Sequence, residues 1–255
     1  MSAGLEVRGV EFSYPDGRQA LRGVDLAVSS GERVAVLGPN GAGKTTLALH
    51  LNGILTPSAG ELRVGELPVV EANLGEIRRL VGIVFQDPND QLFMPTVGED
   101  VAFGPANLGL TGPALDSAVR AALEAVDGDA LGDRPPHHLS GGEKRRAALA
   151  TVLAMTPDVL VVDEPSSGLD PAGRRELVFT LQSLPMTQLV ITHDLPFALE
   201  LCPRSVIMNE GRVVADAATA VILSDSDLLA ANRLELPFGF SLSAPPQPRS
   251  PRTVL

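Results

Sequence analysis

The chain has 255 residues, 44% of them hydrophobic, so it is long enough to bury the core of one large or two small α/β domains. Only eight Phe, one Tyr and no Trp are present, which predicts an aliphatic core. The net charge of −11 argues against non-specific nucleic-acid binding by the bulk surface, because such binding neutralises phosphates with Lys and Arg.

No targeting or membrane-spanning segment is predicted. Residues 1–9 lack the basic start and apolar stretch of a secretory signal, and no long uncharged apolar run occurs. The single cysteine, Cys202, excludes an intrachain disulfide, suits a reducing cytosol and is interpreted as a small buried hydrophobe. If the protein works at a membrane, another subunit must hold it there.

The first third of the chain predicts strands and one helix. Apolar alternation and short apolar runs predict strands over residues 5–10, 21–28, 32–37, 61–64 and 81–85. A loop rich in Gly, Pro and Asn follows the third strand and leads into a helix over 44–52.

The middle of the chain predicts a helical insert over about residues 88–155. From 88 to about 134 the chain is rich in Gly and Pro, and one good helix is predicted there, over 113–126. Ser140 then predicts the N-cap of a helix that runs to about residue 155.

The remaining pattern completes an α/β arrangement. It predicts a helix over 227–234 and strands over residues 159–162, 189–192, 206–208 and 212–214, the last two as a hairpin. Strands that alternate with helices predict a parallel sheet with both faces covered. Residues 241–252 are rich in Pro, Ser and Arg, which predicts a disordered tail.

Residues 38–45 (GPNGAGKT) match the phosphate-binding pattern GxxxxGK[ST]. The glycines let backbone N–H groups wrap the phosphates, and the following helix directs its positive end at them. Lys44 supplies a cation for the β and γ oxygens, and the Thr45 hydroxyl is a ligand for Mg²⁺. Because the loop follows a buried strand and opens a helix, a chance glycine-rich turn is a poor alternative.

Asp163 and Glu164 end the apolar strand predicted over 159–162. Ligands gather at the carboxyl ends of the strands of a parallel sheet. One acid there can hold Mg²⁺, and the other can orient or deprotonate the attacking water. Two acids at a strand end are more often a solvated rim, but the phosphate-binding loop favours the paired catalytic role.

Residues 139–143 (LSGGE) form a second glycine-rich turn at a helix start and thus a second candidate anion site. Ser140 with Glu143 three residues later also fits an ordinary capping box. Both interpretations stay open, because a capped helix end still presents free N–H groups.

The stretch LSGGEKRR resembles the signature motif of ABC-transporter ATPases, and the other motifs of that family follow in order over about residues 5–215. Gln86 resembles the Q-loop glutamine, residues 166–170 (SSGLD) the D-loop, and His193 the switch histidine. Tyr14 stands where the family has an aromatic that stacks on adenine.

The resemblance implies a fold and its division into subdomains. It implies an α/β P-loop NTPase of the ABC-ATPase fold, with a RecA-like parallel-sheet core, an N-terminal antiparallel β subdomain and a helical subdomain. Residues 1–240 are predicted to form one such domain, with a C-terminal extension over about 216–240 and a tail over 241–255.

The resemblance also implies the roles of the site residues. The catalytic residues would be Lys44, Gln86, Glu164 and His193. Mg²⁺ would be held by Thr45, Gln86 and Asp163. ATP would contact Tyr14, Gly38, Pro39, Asn40, Gly41, Ala42, Gly43, Lys44, Thr45 and Thr46, together with Ser140, Gly141, Gly142 and Asp170.

Several residues near these motifs carry no implied catalytic role. Glu143 stands where many family members have Gln, and Ser166 where Thr is common, and neither departure touches a catalytic role. The sequence predicts structural roles for three histidines and a solvated helix face for three cations, namely His50, His137, His138, Lys144, Arg145 and Arg146.

Two such domains are implied to pair head to tail, the second being another copy or a related chain. Each ATP would then lie between the phosphate-binding loop of one domain and the turn at Ser140 of the other. The expected partners are a transmembrane coupling subunit and a substrate-binding membrane subunit, with the chain peripheral on the cytoplasmic face of the cell membrane and no nucleic acid.

The segment over residues 86–105 resembles the ATPases of energy-coupling-factor importers, particularly the cobalt and nickel group. Leu92, Phe93 and Met94 are candidates for an apolar groove that takes an amphipathic helix of the membrane subunit, or alternatively for core residues. The alternatives are a vitamin importer, for biotin or riboflavin, and a soluble ABC ATPase acting on DNA, ribosomes or protein assembly. Substrate choice would lie in a membrane partner.

Overall fold

The computed structural model describes residues 2–240, and within this range the chain forms two sheets and nine α-helices. The strands are β1 (Leu5–Ser13), β2 (Gln19–Val28), β3 (Arg33–Leu37), β4 (Ala59–Val64), β5 (Leu67–Pro68), β6 (Val81–Val84), β7 (Val159–Asp163), β8 (Thr187–Ile191), β9 (Arg204–Asn209) and β10 (Arg212–Ala218). The helices are α1 (Lys44–Leu51), α2 (Leu74–Leu80), α3 (Val97–Asn107), α4 (Gly112–Glu124), α5 (Gly141–Leu153), α6 (Pro171–Ser183), α7 (Leu195–Leu201), α8 (Thr219–Ser224) and α9 (Ser226–Ala231).

The larger sheet has the strand order β10-β9-β3-β8-β7-β6. Neighbouring strands pair in parallel, except that β10 forms an antiparallel hairpin with β9. The central strands are short, apolar and buried, as expected where both faces of a parallel sheet are covered. The predicted parallel sheet and C-terminal hairpin are therefore confirmed.

The smaller sheet is antiparallel, with the order β2-β1-β4-β5. In β1, Leu5, Val7 and Val10 are buried, while Glu6 and Arg8 between them are more exposed. This alternation is that of a strand with one face on a core. The strands predicted over 5–10 and 21–28 are confirmed, and both are longer than predicted.

The core lies on the two faces of the larger sheet. Side chains of β7 alternate between them: Leu160 and Val162 join the apolar cluster that includes the helical insert, whereas Val159 and Val161 join the cluster shared with α1 and the smaller sheet. Burial on both faces fixes the register of the central strands. The loops at their carboxyl ends therefore leave from a rigid base.

Helix α3 was not predicted, because Gly98, Gly104 and Pro105 read as breaks. The helix nevertheless begins with a capping box, in which Thr96 accepts from the backbone N–H of Glu99 and the Glu99 carboxylate accepts from the N–H of Thr96. Pro105 lies inside the helix and removes one intrahelical N–H donor, so the helix forms despite this residue. The helices predicted over 113–126 and from Ser140 are confirmed as α4 and α5.

The C-terminal part differs in detail from the prediction. The helix predicted over 227–234 is present as the shorter α9, and α8 precedes it without having been predicted. Cys202 is buried, as predicted, and burial raises the pKa of its thiol to about 12. The predicted disordered tail over 241–255 lies outside the described residues.

Candidate functional site

The sheet order brings four of the predicted motifs to one edge. Strands β3, β8, β7 and β6 are consecutive and parallel, so their carboxyl ends lie side by side. The glycine loop follows β3, His193 follows β8, and Gln86 follows β6, while Asp163 ends β7 and Glu164 comes directly after it. This is the edge at which a parallel sheet binds its ligands.

A pocket of about 500 Å³ lies at this edge. Eleven of the predicted site residues line it, namely Asn40, Gly41, Ala42, Gly43, Lys44, Thr45, Thr46, Gln86, Asp163, Glu164 and His193. The remainder of the wall comes from residues that the sequence did not single out, namely Arg18, Gln19, Ala20, Arg22, Glu210 and Gly211. These lie at the start of β2 and at the β9–β10 turn, two places that no phosphate-binding motif marks.

The glycine loop is shaped by close packing as well as by its ligand pattern. Gly38 has a φ of +147°, and a Cβ there would lie 2.1 Å from the carbonyl oxygen of Met208 in β9. Only glycine therefore fits between β3 and β9 at this point. Gly43, with a φ of +101°, directly precedes the first residue of α1, so the helix N-terminus opens at the pocket.

Lys44 is buried, with its ammonium inside the loop. Its Nζ donates to the carbonyl oxygens of Gly38 at 2.7 Å and Pro39 at 3.1 Å. Burial lowers the pKa of Lys44, although the charges of Glu164 and Asp163 act to raise it. The loop thus holds a desolvated cation, a state in which a phosphate oxygen is a stronger partner than a carbonyl.

Thr45 and Asp163 are joined directly. The Thr45 hydroxyl donates to Asp163 Oδ2 at 2.6 Å, across the gap between α1 and the end of β7. Burial, and then the neighbouring charge of Glu164, raise the pKa of Asp163. A hydroxyl and a carboxylate in contact are hard oxygen ligands of the kind that Mg²⁺ prefers, so the residues present fit this ion.

Glu164 is buried, and its carboxylate faces the end of β8. Glu164 Oε2 lies 2.8 Å from His193 Nδ1 and also accepts from the Thr192 hydroxyl at 3.3 Å. The Glu164 backbone has a φ of +48°, which a residue with a side chain rarely adopts. Such strained conformations cluster at functional sites.

The predicted second anion site does not join this pocket within the chain. Ser140, Gly141, Gly142 and Asp170 are absent from the residues that line it. Ser140 caps α5, and its capping box with Glu143 is present. Those bonds and an ion pair with Arg134 lower the pKa of Glu143 to about 2.

The remaining predicted nucleotide contacts lie beside the pocket rather than in its wall. Gly38 and Pro39 form the base of the glycine loop through their carbonyls to Lys44. The Tyr14 hydroxyl lies 3.0 Å from Thr46 Oγ1, and the Arg18 guanidinium covers the Tyr14 ring at 4.8 Å.

The prediction of a solvated helix face for Lys144, Arg145 and Arg146 is wrong for Arg145, whereas the side-chain pairs of Lys144 and Arg146 lie at the exposed surface. Lys144 donates to Asn89, and Arg146 pairs with Glu176. Arg145 is partly buried and bonds to the loop after β7. The partners of Arg145 lie in a segment distant in sequence, and no local pattern carries that information.

Gln91 is a further residue that the sequence did not mark. Its Nε2 donates to the Ala148 carbonyl at 2.7 Å and to the Thr151 hydroxyl at 2.6 Å, while its Oε1 accepts from the backbone N–H of Phe85. It therefore ties the segment that carries Gln86 to helix α5. The sequence placed it only within the helical insert, with no role of its own.

A glycine loop between a parallel strand and a helix, a buried lysine and two acids at a neighbouring strand end define a P-loop nucleoside triphosphatase. Residues 21–167 match the profile of the family described as ABC transporter. The chain belongs to the ATP-binding proteins of ABC transporters. It binds and hydrolyses ATP, and the predicted fold, with its parallel core, antiparallel β subdomain and helical subdomain, is confirmed.

The relatives and solved structures agree on the family. A protein of Streptomyces coelicolor, provisionally named as an ABC transporter ATP-binding protein, is 64% identical over 93% of this chain and 92% of its own length. The energy-coupling factor transporter ATP-binding protein EcfA of Methanothermobacter thermautotrophicus is 47% identical over 91% of this chain and 76% of its own.

Two solved structures extend the comparison. The structure of cbiO1 from Clostridium perfringens, part of the ABC transporter complex cbiONQ, is 37% identical with a TM-score of 0.80, covering 93% of this chain and 97% of that one. The dimeric post-hydrolysis structure of the ATP-binding cassette MJ0796 with ADP and Pi is 26% identical with a TM-score of 0.76, covering 84% and 98%.

Within residues 2–240, none of the helices is both long and apolar enough to span a membrane. In the same part of the chain, no cluster of three or more His, Cys, Asp or Glu side chains is arranged to hold a metal ion.

Proposed function

We propose that the chain is the ATPase subunit of an energy-coupling-factor importer, held at the cytoplasmic face of the membrane by a transmembrane coupling subunit. The observation that carries this proposal is the likeness of 93% of the chain to cbiO1, itself part of the cbiONQ complex. The identity of 47% with EcfA supports the same type.

The proposed catalytic roles follow from the geometry of the pocket. When ATP enters, Lys44 Nζ exchanges its bonds to the Gly38 and Pro39 carbonyls for bonds to phosphate oxygens. Glu164, with its carboxylate oriented by His193 and Thr192, takes the role of general base for the attacking water. Gln86, in the pocket wall, would orient that water and contribute a ligand to Mg²⁺.

Thr45 and Asp163 are the proposed ligands of Mg²⁺, together with Gln86. The 2.6 Å bond from the Thr45 hydroxyl to Asp163 places two oxygen ligands together at the end of the phosphate-binding loop. A bound Mg²⁺ neutralises phosphate charge as it develops during transfer. Burial raises the pKa of the Asp163 carboxyl, against the Thr45 hydrogen bond and the charge of Lys44, and a bound cation would favour its ionised form.

A second copy of the chain is the proposed partner in the ATP site. Ser140, Gly141, Gly142 and Asp170 lie outside the wall of the chain's own pocket, although the turn presents a helix N-terminus suited to phosphate. Head-to-tail pairing would bring this turn to the ATP bound by the other copy. The dimeric state of MJ0796, with ADP and Pi bound, supports this arrangement.

The proposed contact with the membrane subunit is an exposed aromatic pair. Phe93 and Phe103 are 62% and 43% exposed, and their rings meet edge to face at 5.1 Å. Buried Asp100 holds the loop in place by accepting from the backbone N–H groups of Phe93 and Met94, at 3.0 Å each. Leu92, by contrast, is a core residue. We define the Phe93–Phe103 pair as the aromatic ledge.

Cobalt or nickel is the proposed substrate, on the basis of the resemblance of residues 86–105 to that group of importers. A vitamin such as biotin or riboflavin is the alternative within the same transporter type. Reconstitution in liposomes with a transmembrane coupling subunit and a substrate-binding membrane subunit, followed by radioisotope uptake, tests the proposal. ATP-dependent uptake of Co²⁺ or Ni²⁺ is expected, with none by the Glu164→Gln variant, whereas uptake of a vitamin and no metal would reject the metal assignment.

A further inference from the structure

Arg145, in the second turn of α5, is directed at the loop that follows β7. Its Nη1 donates to the carbonyl oxygens of Glu164 and Pro165, both at 2.8 Å, and its Nη2 donates to the carbonyl of Ser167 at 2.5 Å. Burial lowers the pKa of Arg145, with the charges of Asp87 and Glu164 opposing the shift. An arginine stays charged through such a shift. One cation thus holds three carbonyls within four residues.

The backbone held by Arg145 is unusual at its first residue. Glu164 has a φ of +48° and directly precedes Pro165, whose ring restricts the conformation of the residue before it. Such a backbone persists only where its surroundings hold it. The Glu164 N–H is bound to the Ile191 carbonyl at 2.8 Å, and the Glu164 carbonyl is bound to Arg145. Strand β8 and helix α5 therefore fix the two peptide groups that flank Glu164.

We propose that Arg145 is a positioning residue for hydrolysis, which holds the backbone of Glu164 so that its carboxylate meets the attacking water. The proposal rests on the catalytic role proposed for Glu164. Arg145 does not line the pocket and acts through the loop alone.

In the proposed dimer, Arg145 links two parts of the chain that would contact two different ATP molecules. Helix α5 begins at the Ser140 turn, which serves the ATP of the partner copy, whereas Glu164 serves the ATP of its own chain. Arg145 lies between them and connects helix and loop by its three hydrogen bonds. A partner ATP that shifts the Ser140 turn would therefore shift the backbone of Glu164.

Steady-state and single-turnover ATPase assays on the full chain test this role. Arg145→Ala is expected to lower kcat about tenfold to 100-fold, the size of effect known for a misplaced catalytic group, with KM and ATP affinity within about threefold of the parent. Arg145→Lys, which keeps the charge but not the fork, is expected to be intermediate. Arg146→Ala is the matched control, since Arg146 is the next cation on α5 and pairs with Glu176 instead.

A double-mutant comparison separates positioning from general loss of structure. If Arg145 acts through Glu164, then Arg145→Ala slows single-turnover hydrolysis little further when Glu164→Gln is already present. An equal loss in both backgrounds, a parallel loss of ATP affinity and Tm, or full kcat in Arg145→Ala would overturn the proposal. Should Arg145→Ala not fold, Arg145→Lys and Arg145→Gln give the same comparison.

The same assays distinguish this inference from the proposal on which it rests. Full-rate hydrolysis by Glu164→Gln alone would refute the role of Glu164 and, with it, that of Arg145. A slow Glu164→Gln together with a full-rate Arg145→Ala would refute only the role of Arg145.

Discussion

Buried charge is the main feature of the site at the scale of single residues. Lys44, Asp163 and Glu164 are each at most 7% exposed, and they meet at the pocket. Burial lowers the pKa of Lys44 and raises that of Asp163, so in both residues it disfavours the charged form. The site is therefore arranged to be stabilised by the charges that ATP and its ion bring.

The first prediction concerns the free energy of unfolding that is lost because the Asp163 carboxylate is buried. Asp163→Asn keeps an oxygen that accepts from the Thr45 hydroxyl but removes the buried carboxylate. We expect the nucleotide-free variant to gain about 1 kcal/mol in free energy of unfolding, or roughly 2–4 °C in Tm, a common size for the relief of an active-site conflict. Mg²⁺-dependent ATP hydrolysis should be lost. Differential scanning fluorimetry and an ATPase assay measure the two effects.

The pH dependence of that gain follows from the sign of the pKa shift. Because the folded pKa of Asp163 is raised, the folded state holds the proton more tightly than the unfolded state does. The penalty of ionisation therefore develops as pH rises from about 3.9, the unfolded value, through the folded pKa. The advantage of Asp163→Asn should be greatest at neutral pH and vanish at acid pH; a gain that grew on acidification would refute the account.

At the scale of single residues, the sequence predicted the site residues that belong to short, recognisable motifs. The glycine loop and the two acids at the end of β7 belong to short motifs, and the structure brings them together. Arg145 and Gln91 were missed because their partners lie far away in the chain, at Glu164 and Ala148 among others. A side chain whose hydrogen-bond partners are distant in sequence leaves no local pattern from which its contacts could be predicted.

At the scale of elements, prediction succeeded where burial imposed a pattern. The central strands are continuous apolar runs, as expected for a parallel sheet. Helix α3 was missed because Gly98, Gly104 and Pro105 lower its local propensity, while its stability comes from the Thr96 capping box and from packing of Val97 and Val101 in the core. Tertiary packing outweighed propensity there.

The second prediction tests the contact between β6 and α5. A Cβ on Gly82 would lie 2.2 Å from Val152 Cγ1 and 3.3 Å from Pro157 Cγ, so Gly82→Ala should cost about 1–3 kcal/mol in free energy of unfolding. Gly75→Ala in α2 is the matched control, because nothing lies within 4 Å of its added methyl group. That variant should gain up to about 1 kcal/mol from helix propensity.

Urea denaturation of the two variants measures both changes. Because Gly82 lies in the strand that leads to Gln86, the Gly82 variant should also bind ATP more weakly than the parent. Equal stability of the two variants would contradict the close packing of β6 on α5.

The third prediction concerns the aromatic ledge of Phe93 and Phe103. Removing either ring should weaken binding to the detergent-solubilised coupling subunit about tenfold, which corresponds to about 1.4 kcal/mol. ATP affinity of the isolated chain should stay unchanged. Phe179→Ala is the matched control, since Phe179 is 71% exposed on α6, outside the ledge. Biolayer interferometry with the immobilised coupling subunit gives the three affinities.

The ledge would fail as the docking site if Phe93→Ala and Phe103→Ala bound the coupling subunit as tightly as the parent. It would fail equally if Phe179→Ala lost as much affinity, because the effect would then be one of general surface apolarity.

At the scale of the whole molecule, the two proposed halves of the ATP site do not meet within the chain. The pocket contains the phosphate-binding loop and Glu164, whereas Ser140 caps a helix outside its wall. A homodimer would bring one half from each copy to each ATP. Each ATP would then stabilise the closed pair, and its hydrolysis would release it, which is a ligand-driven shift between two states.

The sedimentation mass of the Glu164→Gln variant with and without Mg-ATP tests this central claim most directly. Because this variant is expected to bind ATP and fail to hydrolyse it, saturating Mg-ATP should double the mass, while ADP should leave it at that of one chain. Ser140→Arg in the same background should abolish the doubling while ATP still binds. A mass that stays at one chain under saturating Mg-ATP would contradict the composite site.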